Sequence, residues 1–331
     1  MENYAVIIPY FGKFKPSADL FFESCRRNPK IDWIIFSDND FGLSHISESN
    51  IHYHHMKFSD FLRRTERKLN TTLSWDRPYK LCDLKPFYGA IFDDYLVDYS
   101  YWGYGDMDVI YGDVSGFLTK IHASDYDKIN WMGHLTFIRN TERCVNAVFH
   151  NCAGTKDAFD VLATEKNCGF DERDYNKKLI DQGLRIYTGP WAADIDIFYW
   201  RMRCVDINTL HCLLDSKEIT YAPKNSAKQL FAVIQGKVYR VFLKTGRVER
   251  EEFAYIHFRR EVPIHLECLQ DDTFIISRNG FEPVDGGPAA FSDYKTVKQL
   301  ITKHNNQQNS LQECGNFLWQ YYRKISGKRG W

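Results

Sequence analysis

Asp106 and Asp108 stand two residues apart at the end of Tyr101-Trp102-Gly103-Tyr104-Gly105, an aromatic run that reads as a buried strand. On an extended chain residues two apart point the same way, so both carboxylates face one side. Ionised carboxylates are costly to bury unless something positive pairs with them. Hard oxygen ligands of this kind suit Mg²⁺ or Mn²⁺. The pattern therefore offers a perch for a divalent ion that carries a diphosphate. The ordinary alternative for so short a pattern is a solvated turn. Trp102, Tyr104, Val109 and Ile110 argue against it by placing the pair at the edge of a core.

Other residues supply what such chemistry needs. His257 ends an apolar run and is followed by Arg259 and Arg260. Neutral imidazole is a good Mn²⁺ ligand, and guanidinium groups match phosphate oxygens two at a time. The alternative for His257 is a satisfied edge histidine. Asp171, Glu172, Asp194 and Asp196 are candidates for a base acting on an acceptor hydroxyl. For Asp171 and Glu172 the rival role is dipole complementation in the first turn of a helix. Lys80 and Asp83 share a helix face at three-residue spacing. With Lys85 they are placed to touch a donor, or else to form an exposed ion pair. Pro9, Tyr10 and Phe11 follow one strand and Asp38 follows another. Tyr10 or Phe11 would pack on a base and Asp38 would accept from a base or ribose donor; an ordinary loop with a helix cap is the alternative. The segment Met132-Gly133-His134-Leu135 is placed to border an acceptor, while His54, His55, His150 and His211 read as structural.

Elements must hold these groups. Tyr4–Ile8 reads as a buried strand closed by Pro9, Leu20 to Cys25 as a helix, and Asp32–Phe36 as a second buried strand. That order is a parallel crossover, with ligand loops at the strands' carboxyl ends. Phe58, Phe61, Leu62, Thr65 and Leu69 form one helical stripe. Tyr79 to Tyr95 forms another, which Pro86 kinks or splits. Thr141 caps a helix to His150, and Gly183 stops one from Glu172 to Gln182. Lys237 to Phe258 reads as a β-hairpin turning at Lys244-Thr245-Gly246-Arg247, with Phe253 to Phe258 in its return strand. Helices are expected over Asp293–Lys303 and Ser310–Ile325. The basic aromatic tail around Trp319, Arg323, Lys324, Lys328 and Arg329 either rests on an anionic membrane surface or packs on the main domain.

Composition narrows the class. Lys plus Arg equals Asp plus Glu at 43 each, which argues against nucleic acid as the main partner. Aromatics reach 16%, enough to offer stacking surfaces for sugars besides filling a core. The nine cysteines include no Cys-x-x-Cys pair, so a structural zinc site is not expected. Their odd number and the lack of a signal-peptide pattern point to reduced thiols in a cytoplasmic protein. No window approaches the ~20 apolar residues of a membrane span.

The order of these features resembles the GT-A glycosyltransferases, specifically a bacterial group associated with surface-polysaccharide synthesis. The likeness rests on the N-terminal strand-helix-strand unit, Lys80-Leu81-Cys82-Asp83-Leu84-Lys85-Pro86, the segment Tyr101 to Asp108, and the late His257. It implies an α/β fold with a Rossmann-like mixed sheet flanked by helices. It implies a catalytic domain over 1–262, with a nucleotide-sugar half over 1–113 and an acceptor half over 114–262, and a partly helical extension over 263–331. It further implies a UDP-sugar donor, Mn²⁺ or Mg²⁺ held by Asp106, Asp108 and His257, and a glycan or lipid-linked glycan acceptor at the inner membrane face. Rival readings are a sugar nucleotidyltransferase and a non-catalytic glycan-binding protein. The first would need a Gly-rich basic loop near the N-terminus, and Pro9 to Lys15 holds one glycine.

Overall fold

The computed structural model describes residues 2–39, 50–189, 191–196, 203–204, 228–258, 267–277 and 280–305, the side chains of Asp196, Arg203, Glu267, Gln270 and Asn305 excepted. The expected roles of Arg259 and Arg260 and the helix over Ser310–Ile325 lie outside the described residues.

The chain folds as mixed α/β. Its main sheet has seven strands: β1 (Tyr4–Tyr10), β2 (Ile31–Ser37), β3 (Ile51–His55), β4 (Tyr101–Gly105), β6 (Lys128–Ile129), β7 (Leu135–Arg139) and β8 (Ile186–Tyr187). They lie in the order β3-β2-β1-β4-β7-β6-β8. The first four run parallel, and β7 enters antiparallel to β4. Apolar residues fill both faces of β1 and β2, as strands covered on both sides require. Val6, Ile8, Trp33 and Ile35 pack with Phe21, Phe22 and Cys25 of helix α1 (Ala18–Arg26). Ala5, Ile7, Ile34 and Phe36 pack on the other face with Phe61 and Leu69 of helix α2 (Phe58–Leu69). Each such side chain contributes roughly 1.5–3 kcal/mol on burial. The β4–β7 contact depends on a glycine, because a Cβ on Gly103 would lie 2.1 Å from the Thr136 carbonyl oxygen.

Pro9 does not close β1, which continues to Tyr10. Strand β4 partners β1 only through Ile7, so beyond that point β1 pairs with β2 alone. A missing N–H is tolerated at such an edge. Pro86 splits its segment: Leu81–Leu84 and Tyr88–Ile91 are separate short helices joined by a 3₁₀ turn, Lys85–Phe87.

A second, smaller sheet has the order β10-β9-β14-β5, where β5 is Val109–Tyr111, β9 Ala192–Asp196, β10 Arg203–Cys204 and β14 Tyr255–His257. A third has the order β13-β12-β11-β15-β16, where β11 is Gln229–Ile234, β12 Lys237–Lys244, β13 Arg247–Phe253, β15 Phe274–Ser277 and β16 Gly280–Pro283. The hairpin forms as β12 and β13, with Thr245 and Gly246 both at positive φ (47° and 77°) in the turn. Its return strand ends at Phe253, earlier than the sequence pattern suggests. Tyr255–His257 leaves to join β5 and β9, where Tyr255 and Ile256 are fully buried. The third sheet takes strands from both sides of residue 262, since β15 pairs with β11. A helix, Tyr294–Asn305, follows, with Val297 and Ile301 buried in the cluster that holds Leu230, Ala232 and Ile234.

The seven cysteines among the described residues are free thiols. No helix among them is long and apolar enough to cross a membrane.

Candidate functional site

Strand β4 ends at Gly105, and Asp106, Met107 and Asp108 carry the chain into β5. The Asp106 amide donates to the His134 carbonyl at 3.0 Å. Met107 turns into the core beneath α1, and the two carboxylates turn the other way. Strand β14 lies antiparallel to β5 and places His257 opposite Val109. The Phe258 amide donates to the Asp108 carbonyl at 3.2 Å and locks that register. Each of Asp106, Asp108 and His257 then offers a ligand atom within 4.8 Å of the others.

Asp106 and Asp108 border a cavity of about 440 Å³, with His257 behind them. Pro9, Tyr10, Phe11 and Lys15 at the end of β1 form one wall, Tyr79, Cys82 and Lys85 another, and Asp106 and Asp108 the rim. Tyr10 stacks on Phe14 with ring centroids 5.2 Å apart. Phe11 is buried against Phe58 and Phe61. Tyr79 is 56% exposed, a large aromatic face at the cavity mouth.

The His257 imidazole is held from two sides. Its Nδ1 lies 2.9 Å from Asp194 Oδ1, and its Nε2 lies 3.5 Å from Asp108 Oδ1. Burial disfavours the imidazolium, but the hydrogen bonds and charges of Asp108 and Asp194 outweigh it and raise His257 to about 10. Burial likewise disfavours the Asp108 carboxylate, and His257 more than offsets this, holding its pKa well below the usual range. The ring of His134 stacks on His257, with centroids 3.7 Å apart and planes at 28°. Burial and then the His257 charge push His134 well down, so its ring is neutral.

Lys85 is a buried cation in the cavity lining. Its Nζ donates to Asp106 Oδ1 at 2.6 Å and to the Gly133 carbonyl at 3.1 Å, and lies 3.5 Å from Asp171 Oδ2. Asp171 and Glu172 sit on a π-helical turn, Phe170–Asp174, entered through Gly169 at φ +60°. The turn aims both at the Gly133 loop rather than at a helix end. Glu172 accepts the Gly133 amide at 3.2 Å, and a Cβ on Gly133 would lie 2.3 Å from Asp171 Oδ2. Burial raises the Asp171 carboxyl to about 7 against the opposing pull of Lys85, and burial raises Glu172 as well.

Four of the residues predicted from sequence to meet donor or acceptor do other work. Lys80 and Asp83 do not face the cavity. Both are fully buried, with Lys80 Nζ 2.8 Å from Asp83 Oδ2 and 2.6 Å from the Lys166 carbonyl. Asp83 also accepts the Cys168 and Phe170 amides at 2.8 and 2.9 Å, so the pair pins the 166–170 loop from inside. Asp194 is fully buried behind His257, where it orients the imidazole and cannot reach an acceptor hydroxyl. Asp38 points back, its Oδ1 accepting the Gly12 amide at 3.0 Å, and closes the β1 loop instead of lining the cavity. Asp196 ends β9, and its side chain lies outside the described residues.

The donor set fits a divalent ion. Two carboxylates and an imidazole form a mixed oxygen–nitrogen set of the kind Mn²⁺ takes. A buried carboxylate on Nδ1 fixes the tautomer and leaves Nε2 as the ligand atom, the usual support of a metal-binding histidine. A second grouping, His134, Asp194 and His257, also brings ligand atoms within 4.8 Å. It is the poorer set, because Asp194 Oδ1 is engaged by Nδ1 and both Asp194 and His134 are buried. Nothing in the sequence pattern marks Lys15 or Tyr79 as a site residue, and His134 stands there only within the segment expected to border an acceptor.

No curated protein matches the chain. A family model described as "Family of unknown function (DUF6625)" matches residues 6–285, and the chain belongs to that family.

Proposed function

We propose that the chain is a metal-dependent glycosyltransferase of the GT-A type that moves a sugar from a nucleotide-sugar, a UDP-sugar in the first instance, to a glycan or lipid-linked glycan acceptor. What carries the reading is the convergence of Asp106, Asp108 and His257, with the two carboxylates lining a cavity that the end of a parallel strand and aromatic rings also line. Ligand crevices of open α/β sheets lie at such strand ends.

Asp106, Asp108 and His257 would hold Mn²⁺ or Mg²⁺, which when bound supplies positive charge to a departing diphosphate. The chain's own groups do the positioning. Asp194 keeps the Nε2 of His257 turned toward Asp108. Lys85, buried against Asp106, adds a fixed positive charge to the cavity lining. Tyr79 and Tyr10 line the cavity and would supply aromatic surface to a base. Asp171, raised to about 7, is matched in acidity to accept a proton at neutral pH, and Glu172 beside it is shifted the same way. A hydrolysis screen over UDP-, GDP- and CMP-sugars with Mn²⁺ tests the reading. It predicts nucleotide release from one class only and none in EDTA. Sugar binding indifferent to both metal and nucleotide would instead mark a glycan-binding protein.

A further inference from the structure

One residue touches both halves of the candidate metal set without belonging to it. The carbonyl of His134 accepts the Asp106 amide at 3.0 Å, and its ring lies face to face on His257 at 3.7 Å. We propose that His134 is a positioning residue for the metal site: its ring fixes the plane of the His257 imidazole, and its backbone fixes Asp106. The proposal rests on the metal-site reading above and names what holds that site in shape.

The geometry explains why a stacked ring is needed. The Asp194 hydrogen bond anchors His257 at Nδ1 but leaves the ring free to rock about the Nδ1···Oδ1 line. Rocking swings Nε2 off Asp108. A flat neighbour across the ring face removes that motion, so the in-plane bond and the stack together set the direction in which Nε2 points. Positional tolerance at such sites is tight, roughly 0.5 Å and 10–20°.

His134 can do this because its loop is tied down along its length. Asn130 Nδ2 donates to the Leu135 carbonyl at 2.8 Å, and Asn130 Oδ1 accepts the Trp131 amide at 2.9 Å. Thr136 Oγ1 donates to the Met132 carbonyl at 2.6 Å. The Gly133 amide and carbonyl are taken by Glu172 and Lys85. The ring itself is buried, and among the described residues its Nδ1 has no hydrogen-bond partner, so a hydrocarbon ring in its place forfeits no bond to them at that atom. Two ring planes only 28° from parallel and 3.7 Å apart do not converge within a metal–nitrogen distance of ~2.1 Å. The ring therefore serves as a face rather than as a ligand.

The test is a calorimetric titration of Mn²⁺ into the full chain, wild type against His134→Phe, His134→Leu and His134→Ala, with thermal midpoints recorded in parallel. His134→Phe keeps the flat face and is expected to bind within about threefold of wild type. His134→Leu and His134→Ala lose it and are expected to weaken binding about 10–100-fold, as outer-shell changes do. Leucine fills much of the volume, so the phenylalanine–leucine comparison stands even if the alanine variant does not fold. A phenylalanine variant as weak as the alanine one makes the nitrogen a ligand and overturns the proposal; a leucine variant equal to wild type makes the stack idle and overturns it too. A wild-type chain that binds no Mn²⁺ overturns the metal-site reading and this role with it, whereas wild-type binding with the wrong variant order overturns the role alone.

Discussion

Lys80 and Lys85 are five residues apart, both buried, and each lies on an aspartate. Around Lys80 the ion pair is sealed. Asp83 and Lys80 are fully buried, and their remaining hydrogen bonds go to the 166–170 loop, to its backbone and to the Cys168 sulfur. Around Lys85 the partner Asp106 keeps 31% of its side chain exposed and looks into a cavity. The first region spends its charges on holding the chain together. The second leaves a carboxylate within reach of a ligand. Residue types are alike in the two, although Asp83 is three residues from Lys80 and Asp106 is 21 from Lys85; what separates them is whether backbone donors complete the shell.

The contrast can be broken most forcefully at Asp83. Asp83→Ala strands the Lys80 ammonium and two amides in the core, and breaking a buried pair costs about 3–5 kcal/mol. Urea denaturation should show that loss. An Asp83→Ala chain as stable as wild type would mean that the pair is not structural. Asp194→Ala sharpens the other side. It removes the group that orients His257, so Mn²⁺ affinity should fall about 10–100-fold in a calorimetric titration, without matching collapse of the fold.

A third buried lysine tests how much the partner matters. Lys128 donates to a neutral group, Asn176 Oδ1, at 2.7 Å and lies over the Tyr175 ring. Burial lowers its pKa from 10.5 to about 7, with Asp171 and Glu172 opposing only in part. The unfolded chain therefore holds more protons than the folded one between about 7 and 10.5, and this site's contribution to stability rises with pH across that window and is lost as pH falls through about 7. Lys128→Met should thus melt higher than wild type at pH 6, with the advantage shrinking toward pH 10. An advantage that does not change with pH would contradict the shift. The smallest effect is expected far from either region: Thr141 caps a helix by accepting the Cys144 amide, and Thr141→Ala should cost about 1 kcal/mol and leave Mn²⁺ affinity untouched.

Legibility in the sequence followed the range of the contacts. Strands β1 and β2 and the Asp106–Asp108 rim show themselves because continuous apolar runs and two-residue spacing are local properties. Tyr255–His257 shows as a strand but not as a member of the second sheet, since alternation does not say which neighbour a strand will choose. The roles of Lys80, Asp83 and Asp194 depend on partners 63 to 87 residues away, which no local pattern encodes. His134 is the sharpest case. Its meeting with His257 spans two sheets, and only the packed chain brings the rings together.

The central claim is that Asp108 belongs to a cation site through which a nucleotide diphosphate is held. Calorimetric titration of UDP into wild type and Asp108→Ala, each with Mn²⁺ and with EDTA, tests it most directly. The account predicts that Mn²⁺ tightens UDP binding to wild type about tenfold or more, a coupling of about 1.4 kcal/mol, and that Asp108→Ala abolishes the gain. UDP affinity that is the same in all four titrations would contradict it.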